Sequence, residues 1–312
     1  MIENNGMQNT AAAEVHVDCF LIGVPKAGTT WLAGALQHHP EVCFSEPKEV
    51  DELSDHRGTF NRLPRPVDWN RYRQAFGDRP GLRIDGSIHA FSDPDAPRKF
   101  SHWYPNAKFI LCIRQPVDRA VSHWNMIRAG THLEPNGVDW SDFAIAWRDG
   151  RLHGDSLYGR CFSRWLQFYD TNRFLIAKSE NMKHSPTEVL SQVHEFLGVS
   201  DHDYSEKALE LKHQSSDLKS LNPVGRSIRN AIPRNLRTSF KRVMPWLSYM
   251  PHRFPLFAAP ANTLNCTDYH HGICATEVLP DMEQFESLSG IDMTQWIEET
   301  RQAAARIKRL RS

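Results

Sequence analysis

The sequence predicts an α/β fold in which a parallel sheet is flanked by helices and followed by a helical C-terminal region. Short, continuous apolar runs alternate with segments of helical periodicity, a pattern typical of buried parallel strands joined by helices. The first apolar run leads through a glycine-bearing loop into a helix, in the stretch FLIGVPKAGTTW at residues 20–31. From about residue 212 the chain becomes basic and proline-rich, and it then ends in two helical patterns.

Five apolar runs are predicted as strands, and most of the segments between them as helices. The strands are expected at residues 15–24, 42–44, 82–85, 108–113 and 174–177. Helices are expected at residues 30–37, 97–103, from the end of the fourth strand to 124, 157–169, 187–197, 276–288 and 292–310. Residues 55–81 are rich in arginine, proline, aspartate and glycine, which favours loops with one short helix.

We predict a single domain. Its core is expected at residues 17–200 and a helical and loop region at 210–312, after a disordered polar tail at 1–16. A chain of 312 residues can bury a core of this size.

The composition favours a cytoplasmic protein without nucleic-acid or membrane partners. Lysine plus arginine and aspartate plus glutamate both total 37, so net charge does not predict binding to a polyanion. No apolar stretch approaches the ~20 residues that span a bilayer, and the N-terminus does not resemble a signal peptide. The six cysteines are scattered, which favours reduced thiols. The oligomeric state is left open.

The loop at residues 20–31 has the features of a phosphate-binding loop. Gly23 and Gly28 have the spacing of a Walker motif, but Thr29 stands where that motif has its lysine. The lysine is instead Lys26, inside the loop. A Walker lysine must reach β- and γ-phosphates beside Mg²⁺, so this displacement disfavours a nucleoside triphosphatase.

A second informative stretch is IRQPVDRAVSHW, at residues 113–124. Arg114 follows the clearest buried strand, and ligands of open α/β sheets bind at this end of the strands. Ser122 lies two helical turns further on and can point into the same cleft. One cation and one hydroxyl that converge in this way are suited to binding a phosphate group.

These two stretches together resemble the nucleotide-binding motifs of sulfotransferases that use 3′-phosphoadenosine 5′-phosphosulfate (PAPS). PKAGTTW is similar to the family's 5′-phosphosulfate loop, and IRQPVDRAVSHW to its 3′-phosphate motif, with Gln115 as a departure. The resemblance continues through LYGRCFSRWLQFY and FLIAKSENM, so that it covers about residues 18–200. A P-loop-like parallel sheet is the fold that this resemblance implies.

The resemblance also implies roles for individual residues. Lys26 would neutralise the oxygen that bridges phosphorus and sulfur, Arg114 and Ser122 would hold the 3′-phosphate, and Trp31 would lie at the adenine. A late glycine–basic segment would bring Arg226 to the donor phosphates. The implied donor-binding residues are Lys26, Ala27, Gly28, Thr29, Thr30, Trp31, Arg114, Ser122 and Arg226.

The reaction needs a base that takes a proton from the acceptor. In the glycan-type branch of the family a glutamate does this in a Lys-Glu pattern, which Lys48 and Glu49 match, although the aromatic residues that should follow are missing. Glu49 is therefore the leading candidate, with Glu46 as an alternative. His89 is a third candidate, by similarity to the histidine of the small-molecule branch.

The predicted function is transfer of a sulfuryl group from PAPS to a hydroxyl or amine of a small-molecule or carbohydrate acceptor. The alternatives are a nucleotide-dependent phosphotransferase on the same loop and a non-catalytic nucleotide-binding module. No metal is expected, because the spacing of Cys266, His270, His271 and Cys274 fits no common zinc pattern and favours a loop. The basic stretch 226–242 is interpreted as a surface helix or as a loop that reaches the donor.

Overall fold

The computed structural model of the protein describes residues 15–55, 66–129, 140–205, 209, 219–221, 258–260 and 263–311. The strands of its main sheet are β1 (Cys19–Gly23), β2 (Val42–Phe44), β3 (Leu82–Asp85), β4 (Lys108–Ile113) and β5 (Phe174–Lys178). A separate antiparallel pair consists of β6 (Lys219–Leu221) and β7 (Ala258–Pro260). The helices are α1 (Thr29–Leu36), α2 (Trp69–Gln74), α3 (Ala96–Trp103), α4 (Pro116–Arg128), α5 (Phe143–Trp147), α6 (Gly150–His153), α7 (Tyr158–Trp165), α8 (Ser179–His184), α9 (Pro186–Leu197), α10 (Asp268–Ser289) and α11 (Thr294–Arg311).

The main sheet has the strand order β2-β3-β1-β4-β5, and all neighbouring strands are parallel. The chain first builds β2 and β3 on one side of β1 and then β4 and β5 on the other. The order therefore reverses at β1, and open α/β sheets bind ligands beyond the carboxyl ends of the strands at such a point. The backbone N–H of Val24 donates to the carbonyl of Cys112 at 2.8 Å, which holds the ends of β1 and β4 together.

The core is built on the two central strands. All five residues of β1 are buried, as are five of the six in β4, because helices cover both faces of the sheet. Phe109 in β4 lies at the centre of an aromatic cluster, with its ring centroid 4.9 Å from Trp165, 4.7 Å from Tyr169 and 5.0 Å from Phe174. This packing explains why both strands are continuous apolar runs in the sequence.

The C-terminal helices pack directly on the helices of the sheet domain. α10 contacts α7, α4 and α11. The carboxylate of Asp281 in α10 accepts from the backbone N–H groups of Gly159 and Arg160, at 2.9 and 2.8 Å, and so caps the first turn of α7. Burial raises the pKa of Asp281 to about 6 despite these bonds. At Gly159 the two helices approach so closely that a Cβ there would lie 2.4 Å from the carbonyl oxygen of Asp281.

The predicted α/β fold with a helical C-terminal region is confirmed. The predictions for β2, β3 and β4 match the observed bounds, whereas β1 is shorter than predicted. One prediction is wrong: His270, His271 and Cys274 do not lie in a loop but in the first turns of α10, which begins at a capping box between Thr267 and His270. The Thr267 hydroxyl accepts from the backbone N–H of His270, and the His270 imidazole accepts from the backbone N–H of Thr267. These polar residues therefore begin the helix instead of forming a loop before it.

The division into one domain stays a prediction, and residues 1–14 of the tail predicted at residues 1–16 lie outside the described residues. None of the described helices combines the length and the apolar character needed to cross a bilayer.

The close approach of α10 to α7 leads to a prediction about two helical glycines. Gly159→Ala should lower the free energy of unfolding by about 2–3 kcal/mol, because the added methyl group meets backbone atoms that cannot rotate away. Gly34→Ala in α1 is the matched control: its Cβ would meet nothing within 4 Å, so the variant should gain up to about 1 kcal/mol from helix propensity. Urea denaturation measures both, and equal stabilities of the two variants would contradict the described packing.

Candidate active site

The loop that follows β1 runs from Val24 to Gly28 and ends where α1 begins at Thr29. Its backbone turns sharply, with positive φ angles of 73° at Lys26 and 91° at Gly28. The first N–H groups of a helix have no acceptor within the helix, and together with the helix dipole they attract phosphate groups. This loop therefore has the backbone of an anion-binding site, at the point where the strand order reverses.

Gly28 has two structural reasons to be glycine. Its φ of +91° disfavours a side chain, and a Cβ would lie 2.6 Å from the sulfur of Met182. Met182 belongs to α8, directly after β5, so the far end of the sheet packs against the loop. The SENM segment of the sequence thus packs against the loop through Met182.

Three positive side chains lie close to one another at this edge of the sheet. Lys26 in the loop is half-buried, and its Nζ is 3.9 Å from the sulfur of Met126. Burial lowers the pKa of Lys26, and the nearby charges of Arg114 and Arg119 lower it further. The repulsion among these cations is relieved when a multiply charged anion binds, so their arrangement favours such a ligand.

Arg114 lies one residue beyond the carboxyl end of β4 and is half-buried. Its backbone is held by Tyr158, whose hydroxyl donates to the Arg114 carbonyl at 2.7 Å. Among the residues that the structure describes, the guanidinium of Arg114 forms no hydrogen bond or ion pair. None of the described residues thus competes with a ligand for its N–H donors.

The helix that carries Ser122 is fixed at its start by Gln115. The Gln115 side-chain oxygen accepts from the N–H groups of Val117 at 2.6 Å and Asp118 at 2.9 Å, and its amide donates to the Thr300 hydroxyl in α11 at 2.9 Å. The longer glutamine, which departs from the family pattern, thus caps α4 and also ties it to the C-terminal helix. Ser122 itself is buried, two turns into α4.

Arg119 is the important residue to which the sequence analysis gave no role. Its guanidinium is fully buried and donates to the carbonyl of Pro25 at 3.4 Å, the hydroxyl of Ser156 at 2.8 Å and the carbonyl of Leu152 at 2.6 Å. The carboxylate of Asp155 lies 3.8 Å away. Arg119 therefore joins the loop, α4 and the 154–156 turn. Its place five residues after Arg114, within the second motif, was the signal that could have revealed it.

The candidate bases lie at the same edge of the sheet, in different surroundings. Glu49 follows β2, is 31% exposed and pairs with Lys48 at 2.9 Å. Glu46, three residues earlier, is exposed. His89 lies in the turn after β3 and is buried, and it is near enough to the buried His123 to help lower the pKa of that residue. Glu49 combines a charge partner with access to solvent.

The remaining residues that are predicted to bind the sulfuryl donor differ in their exposure to solvent. Ala27 and Thr29 are buried and Thr30 is exposed, at the start of α1. Trp31 is buried in the core, and its indole N–H donates to the carbonyl of Leu209 at 3.0 Å. Arg226 and the basic stretch 226–242 lie outside the described residues.

The family model and the two curated relatives that are described next are all sulfotransferases. A family model described as "Sulfotransferase domain" matches residues 16–242. The mouse bifunctional heparan sulfate N-deacetylase/N-sulfotransferase 4 is 28% identical over 212 residues, which cover 61% of this chain and 23% of that protein. The mouse heparan sulfate glucosamine 3-O-sulfotransferase 6 is 27% identical over 191 residues, 57% of this chain and 51% of that protein. The matches thus span only a quarter to a half of these relatives.

A solved structure supports the fold. The crystal structure of a sulfotransferase from Alicyclobacillus acidocaldarius superposes with a TM-score of 0.55 at 17% sequence identity. The match covers 90% of this chain and 99% of that protein, so it includes most of the C-terminal region as well as the sheet.

The buried network of Arg119 predicts a large effect on stability. Arg119→Ala should lower the free energy of unfolding by about 3–5 kcal/mol, because it leaves the buried Asp155 carboxylate without its cation. Arg148→Ala, at an exposed arginine, is the control and should change stability by less than about 0.5 kcal/mol. Chemical denaturation compares the two variants, and a loss below about 1 kcal/mol for Arg119→Ala would show that the network is not needed.

Proposed function

Because the chain belongs to the sulfotransferase domain family, we propose that it is an enzyme that transfers a sulfuryl group from PAPS to an acceptor. An acceptor oxygen or nitrogen attacks sulfur in line with the bond to the bridging oxygen. A new bond to sulfur forms as the bond to the bridging oxygen breaks, and the acceptor proton passes to a base. The products are the sulfated acceptor and 3′-phosphoadenosine 5′-phosphate.

The observation that carries this proposal is the convergence of the Lys26 loop and Arg114 at the reversal of the strand order. PAPS has phosphate groups at both ends of its ribose, so it needs two separate anion-binding elements. The loop with the start of α1 suits the 5′-phosphosulfate, through Lys26, Ala27, Gly28, Thr29 and Thr30. Arg114 and the buried Ser122 suit the 3′-phosphate, which distinguishes PAPS from ATP.

Lys26 is proposed to act on the leaving group. As the bond to sulfur breaks, negative charge grows on the bridging oxygen, and a half-buried ammonium beside it stabilises that charge more than water does. A sulfuryl group carries less charge than a γ-phosphoryl group. We therefore propose that transfer needs no metal ion and proceeds without added Mg²⁺, which also separates it from a phosphotransferase that uses ATP.

Glu49 is proposed as the base, with Glu46 and His89 as the alternatives that the same experiment tests. Its ion pair with Lys48 holds the carboxylate in place while about a third of the side chain stays accessible. A base must reach a proton of the bound acceptor, and a partly exposed carboxylate meets this requirement better than the buried His89.

The acceptor is proposed to be a carbohydrate or a small molecule with a free hydroxyl or amine. The curated relatives in the comparison act, by name, on heparan sulfate, as N- and 3-O-sulfotransferases. A screen of sugars, amino sugars and small alcohols with labelled PAPS identifies the acceptor. Transfer of label to none of them, with donor binding intact, would favour a nucleotide-binding module that is not an enzyme.

The compartment is proposed to be the cytoplasm. All six cysteines carry free thiols, which suits a reducing environment. The proposed position of Trp31 near the adenine and the contact from Arg226 are part of the same donor-site proposal, and a structure with bound 3′-phosphoadenosine 5′-phosphate tests both.

The role of Lys26 can be measured directly. Lys26→Ala should lower kcat by about 10²–10³-fold, in line with the loss of one group that stabilises a developing anion. Binding of the spent donor should weaken much less, because the backbone of the loop and Arg114 remain. Lys183→Ala, at an exposed lysine of α8, is the control. Turnover of the Lys26→Ala variant within threefold of wild type would refute the assignment.

The base is identified by three variants that are compared at the same pH. Glu49→Gln should lower kcat by at least about 10²-fold, because general base catalysis contributes that much. Glu46→Gln should stay within threefold of wild type, since among the described residues no ion pair positions the Glu46 carboxylate as Lys48 positions that of Glu49. His89→Asn should lower the free energy of unfolding, because His89 is buried, and it should lower kcat less than Glu49→Gln does. A larger loss of kcat in either of the last two variants than in Glu49→Gln would move the assignment to that residue.

A further inference from the structure

Three side chains with metal-binding chemistry meet where α4 packs against the C-terminal helices. They are Asp118 in the first turn of α4, Cys266 just before α10 and His271 in the first turn of α10. One ligand atom from each lies within 4.8 Å of the other two. Asp118 and Cys266 are half-buried and His271 is buried. The three residues come from two segments about 150 positions apart, so spacing along the sequence could not reveal them.

The cluster is held by contacts outside it. Nδ1 of His271 lies 3.2 Å from the Thr300 hydroxyl oxygen. If Nδ1 carries the proton and donates to Thr300, the lone pair of Nε2 is left for a ligand, which is the usual arrangement of a metal-binding histidine. Nε2 lies 4.0 Å from the carboxylate of Glu299, which is half-exposed and adds a fourth possible ligand.

We propose that Asp118, Cys266 and His271 bind a zinc-class divalent cation, with Glu299 or water in the fourth position. A thiolate, an imidazole and carboxylates are the ligands of Zn²⁺ in proteins, whereas Mg²⁺ and Ca²⁺ require oxygen ligands. In a tetrahedral zinc site the ligand atoms are about 3.4–3.7 Å apart. The three ligand atoms must therefore approach one another by at most about 1.4 Å when the ion binds.

This site differs from the group of four residues considered in the sequence. The imidazole of His270 serves the capping box of α10, where its Nδ1 contacts Thr267. Cys274 is fully buried in the smaller hydrophobic cluster. The fold thus separates His270 and Cys274 from Cys266 and His271, and supplies Asp118 in their place.

Metal binding at this position would tie α4 to α10. Asp118 lies one helical turn before Ser122, so the ion would stabilise the packing of the helix that carries this proposed donor ligand. The role is structural, and it does not depend on the proposed reaction.

The experiment uses the full chain after treatment with a chelator and titration with Co²⁺ or Zn²⁺. One equivalent of Co²⁺ should give a thiolate-to-cobalt absorption band, and Zn²⁺ should raise the thermal unfolding midpoint. Cys266→Ser should lose the band, and His271→Asn should weaken binding at least about 100-fold. Circular dichroism checks that both variants fold.

Two variants serve as matched controls, Cys274→Ala for the thiol and His184→Asn for an exposed histidine. Both should keep the absorption band and the affinity of the wild type. Absence of the band in the wild type overturns the proposal. Equal affinity in wild type, Cys266→Ser and His271→Asn overturns it as well, because the ion would then be bound elsewhere.

Discussion

The candidate site depends on one buried cation, the guanidinium of Arg119. Moving such a charge out of water costs several kcal/mol, and the protein offsets this cost with four hydrogen-bond acceptors, one of which is Nδ1 of His123 at 3.2 Å, and with the carboxylate of Asp155. One of the acceptors is the carbonyl of Pro25, directly before Lys26 in the loop. The contacts that satisfy Arg119 therefore also hold the loop at a defined position above α4.

The same cation shapes the electrostatics of the site. Burial lowers the pKa of Lys26, and the charges of Arg114 and Arg119 lower it further. Bringing these positive charges together is unfavourable until an anion arrives, so their arrangement suits the phosphate and sulfate groups of the proposed donor. Fixed positive charge at the leaving oxygen is what sulfuryl transfer needs from a protein.

The C-terminal helices complete this arrangement, although they lie beyond the residues 16–242 that match the family model. Asp281 in α10 caps the start of α7, and Thr300 in α11 accepts a hydrogen bond from Gln115, which caps α4. Tyr158 at the start of α7 in turn holds the backbone of Arg114. The helix α10 is therefore connected to Arg114 through the start of α7 and Tyr158, and α11 is connected to α4 through Gln115.

The amino-acid sequence by itself determined the fold class, most of the strands, and the two motifs that carry Lys26 and Arg114. These features are local: a buried parallel strand is a continuous apolar run, and an anion-binding loop needs its glycines and its cation within a few residues. Only the tertiary structure decided the role of Arg119 and the grouping of Asp118 with Cys266 and His271. It also showed that the segment with His270, His271 and Cys274, which was predicted as a loop, is the start of α10. Each of these depends on which distant segments pack together, and packing of that kind leaves no periodic pattern along the chain.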